Sequence, residues 1–230
     1  DGSDPRQMTS LEAAAVHTPR WSHGGDRIAF NAVIEGVPRI MVLPSLGGPP
    51  REVPAGDGSV VFSGWSADDA TLLVGVETES GWQIHRLAPD GDLGEALTRD
   101  GGLAAAEDPT GAALYFTRPT GPGLWRRNLG KEGPMGAPEL ILPDLAPEER
   151  GHWRLVTDHG GLTGIVYVSR LAGQAFLSLY DPHAGTSSFL TDLPGLSAAG
   201  LAVSPSGDVI LYARTENQAG DLMLIPLSSP

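Results

Sequence analysis

Five consecutive repeats, each reading as four short strands, predict an all-β chain of the β-propeller class, with about five four-stranded blades in 230 residues. Two further observations agree. Gly (31) and Pro (20) are abundant in a chain that is not low-complexity, which implies many turns between short elements. Apolar residues recur at every second position, and no window shows the period of an amphipathic helix, so helix is expected to be nearly absent.

The first repeat begins "PRWSHGGDRIAF" and continues through "RIMVLP" to "REV". The second, "SGWSADDATLLV" through "QIHRLA" to "EALT", places Trp-Ser on Trp-Ser and turn on turn. Three further copies follow with more drift, turning at Asp108–Gly111, Asp158–Gly160 and Ser204–Gly207. With Trp21, Trp65, Glu107, Val156 and Val203 taken as equivalent, the steps are 44, 42, 49 and 47 residues. In each copy one strand runs into the Trp-Ser position and a second leaves the Gly/Asp turn. The third strand is "RIMVL", "QIHRL", "LWRRNL", "FLSLY" or "LMLIPL", and a short fourth follows in the first four copies. Gly and Asp suit the turn because they let the chain reverse without a side-chain clash.

These runs place blades at residues 16–54, 60–98, 103–142, 151–191 and 198–227 of a single domain spanning 1–230. The last copy ends after its third strand, and residues 5–9 resemble a fourth, "RQMTS" matching "EALTR". The N-terminal segment is therefore a candidate for the strand that closes a five-bladed ring; the alternative is that the five copies belong to a larger ring. The Trp before each turn is expected to pack between blades as core.

Composition narrows the function. Lys plus Arg total 15 against 28 Asp plus Glu, a formal charge of −13, which repels phosphate backbones and anionic lipid, so no direct nucleic-acid contact is expected. The absence of cysteine excludes disulfides, thiolate metal sites and cysteine nucleophiles. No apolar run of about 18 residues exists, so no membrane-spanning segment is expected. The start, Asp1-Gly2-Ser3, reads as a trimmed or mature piece.

No Gly-x-Ser-x-Gly elbow, phosphate loop, dinucleotide fingerprint or His-Glu-x-x-His motif occurs, so no catalytic set, metal or cofactor is expected. The histidines at 17, 23, 85, 152, 159 and 183 are scattered. Asp90, Gly91, Asp92 and Glu95 look like the start of a calcium loop, but such a loop needs six or more oxygens, and an acidic hairpin is the simpler reading. "PDLAPEER", residues 143–150, reads as a solvated loop between blades. A ligand or partner site is expected at the channel mouth or rim, with candidates His17, Arg20, Ser63, Glu107, His152 and Arg154 on the first strands and their approaches. Arg20 and Arg154 are singled out because cations are scarce in this chain.

"PRWSHGGDRIAF…RIMVLPSLGG…REV" resembles the TolB-type propeller repeat, and Ser204-Pro205-Ser206-Gly207-Asp208 keeps much of its turn. In the second half, "GPGLWRRNL", "WRLVTDHGGLTGIVYV" and "LAVSPSGDVILYARTENQAGDLMLI" resemble the C-terminal propeller of CadC-type winged-helix transcriptional regulators, down to the strand Asp221, Leu222, Met223, Leu224. These resemblances imply a non-catalytic module that binds a protein partner or small ligand, as the sensor of such a regulator, on the extracytoplasmic side of a membrane-anchored protein. They leave open a TolB-like periplasmic scaffold, the gating propeller of a prolyl-oligopeptidase-like hydrolase, and a cytoplasmic location.

Overall fold

The computed structural model describes residues 7–226 except 57, 132, 159, 160, 205, 206, 217 and 218, and the backbone alone at 197–199 and 214–226. Apart from a single 3-10 helical turn at Pro147–Glu149, every regular element among them is a β-strand.

Blade 1 comprises β1 (Ala15–Trp21), β2 (Arg27–Ile34), β3 (Val37–Pro44) and β4 (Arg51–Val53). Blade 2 comprises β5 (Val60–Trp65), β6 (Leu72–Thr78), β7 (Gly81–Leu87) and β8 (Leu93–Ala96). Blade 3 follows with β9 (Ala104–Glu107), β10 (Ala113–Thr117), β11 (Leu124–Gly130) and β12 (Gly133–Leu142). Blade 4 is β13 (Trp153–Asp158), β14 (Gly161–Leu171), β15 (Gln174–Asp181) and β16 (Thr186–Asp192). In each the strands lie in sequence order, as an antiparallel meander. The fifth sheet, β17 (Leu196–Val203), β18 (Val209–Glu216) and β19 (Ala219–Pro226), has three strands.

The fold is thus an all-β propeller with four four-stranded blades, which corrects the expectation of about five. The expected closing strand, residues 5–9, falls partly outside the described residues: 5 and 6 are not among them, and 7–9 form no strand. The reason lies in where the apolar side chains of this segment go. Met8, Leu11 and Ala13 pack onto blade 1's own cluster of Phe30, Ala32, Met41 and Leu43. Ala14 N–H then donates to Val33 O at 2.8 Å, feeding the chain into β1.

One turn recurs between first and second strands. Its leading residue is Ser22, Ser66, Asp108 or Ser204, whose carbonyl accepts from the N–H three residues on, in Gly25, Asp69, Gly111 and Gly207. The same residue's side-chain oxygen accepts from the N–H five residues on: Arg27 at 3.1 Å, Thr71 at 3.0 Å, Ala113 at 3.3 Å and Val209 at 3.0 Å. The Ser of Trp-Ser is therefore the staple of the turn. The fourth position of each turn has φ between +57° and +75°, a left-handed conformation natural to glycine. Asp69 is the one non-glycine among these four positions.

By its contacts the chain divides into two compact units, Asp1–Ala106 and Glu107–Pro230. In the first, Ala29, Ile40 and Val53 of blade 1 close a core with Val60, Phe62, Trp65, Leu72, Val74, Val76 and Leu87 of blade 2. In the second, Val166, Val168 and Leu177 of blade 4 pack with Leu193, Leu201, Ile210 and Tyr212.

Candidate functional site

Within the first unit, blades 1 and 2 share an apolar core and are joined further by side chains that bond main-chain groups across the joint. Asn31 lies in the apolar run of β2 and is only 5% exposed. Its side-chain amide donates to Phe62 O at 3.0 Å, and its carbonyl accepts from Phe62 N–H at 2.9 Å. At the other end of the joint Trp65 donates to Arg20 O at 3.1 Å, with the Arg27 guanidinium 4.7 Å above its ring. Asp69 reaches back to the turn of blade 1, accepting from His23 N–H at 2.9 Å and Gly24 N–H at 2.8 Å. Burial pushes the Asp69 carboxyl up, but these bonds and the His23 ring outweigh it and hold the group below its ordinary value.

Beside Asn31 the joint opens into a cleft of about 210 Å³. Its walls include Pro38, Val61 and Trp82, with His17, Asn31 and Ser59 as polar members. A β-bulge between His17 and Arg20, with Thr18 at φ +57°, shapes this end of β1. The volume lies below the roughly 300–1,000 Å³ of drug-sized ligand pockets. A mainly apolar cleft of this size accommodates one apolar side chain and has no set of converging acids and bases.

Of the six expected site residues, His17 enters this cleft, exposed, with Nδ1 3.0 Å from Thr18 Oγ1. Arg20 and Ser63 do not line it. Arg20 donates to Pro19 O at 3.0 Å, and burial lowers its pKa. Ser63 donates to Leu73 O at 3.2 Å within blade 2.

In the second unit Glu107 is buried at the end of β9. Arg154 donates to Gly151 O at 3.0 Å and to Trp153 O. His152 is buried, its Nδ1 2.5 Å from a carboxylate oxygen of Glu149, whose other oxygen takes the Arg170 Nε–H. Burial raises the Glu149 carboxyl, but hydrogen bonds from His152 and Arg170 outweigh it and hold the group below its ordinary value.

The 143–150 segment is therefore not a freely solvated loop: Leu145 and Glu149 are each 1% exposed. The Trp expectation also divides. Trp65 is buried, whereas Trp21 is 59% exposed. The acidic stretch after Asp90 is a tight turn, with Ala88 N–H donating to Asp92 O at 2.9 Å. Among the described residues no three His, Cys, Asp or Glu side chains gather as a metal site. No helix among them is long and apolar enough to cross a membrane.

Asn31, Asp69 and Trp82 were not expected at the joint or cleft. Asn31 carries one legible signal, a lone amide inside "IAFNAV". Nothing distinguishes Asp69 from the other acids of the turns.

Comparison with solved structures places these observations in the TolB-type propeller fold. TolB from Acinetobacter baumannii superposes with a TM-score of 0.74 at 20% identity, over 99% of this chain and 55% of that one. A protein of Agrobacterium tumefaciens assigned as a TolB gives 0.59 at 23% identity, over 80% of this chain and 68% of that one. A prolyl endopeptidase gives 0.57 at 10% identity, over 97% of this chain and 35% of that one. The chain thus spans about half the length of the Acinetobacter protein. No family model matches it, and no curated protein matches it significantly. At these identities the likeness is one of fold.

Proposed function

We propose that this chain is a non-catalytic propeller module that binds a protein partner by taking one apolar side chain into the blade 1–blade 2 cleft. The observation that carries this reading is the size and lining of the cleft, about 210 Å³ with Val61, Pro38 and Trp82 as apolar wall and His17 as polar member. Burying one large apolar side chain there contributes roughly 1.5–3 kcal/mol, enough to anchor a longer interface. Likeness in fold to TolB from Acinetobacter baumannii over 99% of this sequence supports a scaffold role. An extracytoplasmic location belongs to the same proposal.

The test is selection of displayed random peptides on the intact chain. The expected binders share one large apolar residue and are lost from a Val61→Arg variant whose fold is checked by circular dichroism. Selected peptides that bind Val61→Arg equally well would overturn the reading.

The finer role, sensor of a winged-helix regulator, is supported only by the resemblance of the second-half strands. It requires a winged-helix domain encoded ahead of residue 1. Sequencing the gene upstream tests it separately from the cleft.

A further inference from the structure

Blade 3 carries a second site, of different chemistry. The side chains of Trp125 and Arg127 lie on one face of β11, two residues apart. Arg118, just beyond the end of β10, lays its guanidinium over the Trp125 ring at 3.8 Å. The stacked geometry covers a guanidinium face and leaves its N–H edge for an acceptor.

No acceptor is present among the described residues. Arg118 Nε, Trp125 Nε1 and Arg127 Nε are all buried and without a hydrogen-bond partner. The register explains why. Trp125 lies between Phe116 on β10 and Leu140 on β12. Arg127 lies between Leu114 and a β12 bulge, where pairing slips from Glu139 opposite Arg126 to Met135 opposite Asn128. The residues in that bulge are Gly136, Ala137 and Pro138, none with a side-chain acceptor. Glu139, the nearby acid of β12, pairs in register with Arg126 on the opposite face of β11.

Two buried guanidinium Nε–H groups with no acceptor among the described residues are anomalous in a chain with 28 acids and 15 bases. A buried donor left unpaired costs about 1–3 kcal/mol, more when the group is charged. An arrangement that keeps three such donors on one stripe is accounted for by an acceptor supplied from outside the chain.

We propose that Arg118, Trp125 and Arg127 form a binding site for a carboxylate, as carried by a small organic acid or by an acidic side chain or C-terminus of a peptide. Two guanidinium edges and an indole N–H match the in-plane lone pairs of a carboxylate. Leu114, Phe116 and Leu140 form apolar surroundings that suit the alkyl stem of such an acid better than a hydrated phosphate. All three residues are half-buried, so each has atoms at the surface while the three donors lie beneath it, and an entering carboxylate displaces the outer atoms of the arginine side chains.

The experiment is an NMR titration of the intact ¹⁵N-labelled chain, following the Trp indole N–H and Arg Nε–H signals. Sodium butyrate is added at constant ionic strength against sodium chloride, and the Trp125 signal is assigned by its loss in Trp125→Phe. The expected result is a saturable shift of the Trp125, Arg118 and Arg127 signals that chloride does not produce. Binding is expected to weaken about tenfold or more in Arg118→Gln and Arg127→Gln, as for loss of a charged hydrogen bond. Arg127→Lys, which keeps the charge, should retain part of the affinity, and the backbone amide spectrum reports whether each variant is folded. A glutamate-containing peptide shifting the same signals more tightly than butyrate identifies the peptide source; equal affinity identifies the free acid. The proposal is overturned if butyrate moves these signals no more than chloride does. It is also overturned if the shifts survive in folded Arg127→Gln, or if inorganic phosphate binds the site more tightly than either carboxylate.

Discussion

The indole N–H of Trp65 in blade 2 donates to the main-chain carbonyl of Arg20 in blade 1 at 3.1 Å. With Arg27 stacked on the same ring, one side chain joins two blades by hydrogen bond, cation–π contact and burial. Trp65→Phe keeps most of the apolar area but loses the bond and weakens the stack, so a cost of about 1–2 kcal/mol is expected. Trp21→Phe, at a repeat-equivalent but 59% exposed position, should cost less than about 0.5 kcal/mol. Urea unfolding of the two variants checks the contrast.

Asn31→Leu should cost about 2–4 kcal/mol. The substitution leaves both Phe62 N–H and Phe62 O, 2.9 and 3.0 Å from the amide, without their partner inside the core. Equal stability of Asn31→Leu and wild type in urea would show that water takes over both bonds.

Asp69 makes part of the stability pH-dependent. Its folded carboxyl sits below the ordinary value of 3.8, so the contribution is complete above that value and fades as pH falls through the folded one. Wild type should exceed Asp69→Asn by about 1–2 kcal/mol at neutral pH, with the gap closing in acid. Asp69→Ala should be worse than Asp69→Gly, since both lose the carboxylate but only alanine is strained at φ +57°. Unfolding curves across the acid range measure both effects.

Glu149→Gln should loosen the segment before blade 4. The carboxylate between His152 and Arg170 is 1% exposed, and its loss leaves Arg170 without its charged partner. A cost of about 3 kcal/mol is expected, read as faster hydrogen exchange at residues 145–152 than in wild type.

Much of the blade architecture was legible because its turn is a local device. Ser22 with Arg27 and Ser66 with Thr71 close their bonds within six residues, so the chemistry is written contiguously and repeats visibly. The blade count was less legible, because three strand-like runs in the last copy do not say what pairs beside β19. "RQMTS" matches a fourth strand in composition, yet Met8, with Leu11 and Ala13, packs onto Phe30 and Met41 of blade 1, a tertiary preference that no local pattern encodes. The cleft was half legible. His17 was visible as a histidine on a first strand, but Trp82 reaches the cleft from β7 of the next repeat. The Arg118–Trp125–Arg127 stripe was hidden for a different reason: "LWRRNL" reads as an ordinary third strand, and only the register shows that its neighbours lack acceptors.

The joint between blades 1 and 2 sets side chains against main chain from both sides, Asn31 of blade 1 on Phe62 and Trp65 and Asp69 of blade 2 on blade 1. Trp65 and Asp69 supply side chains, while Arg20 and Gly24 answer with a carbonyl and an N–H that almost any residue would offer. Substitutions at positions that answer with main chain alone leave these bonds intact, and those at Asn31, Trp65 or Asp69 break them. Such a seam lets neighbouring blades diverge in sequence while still stacking. Such tolerance is compatible with a likeness in fold to TolB from Acinetobacter baumannii over 99% of this chain at 20% identity.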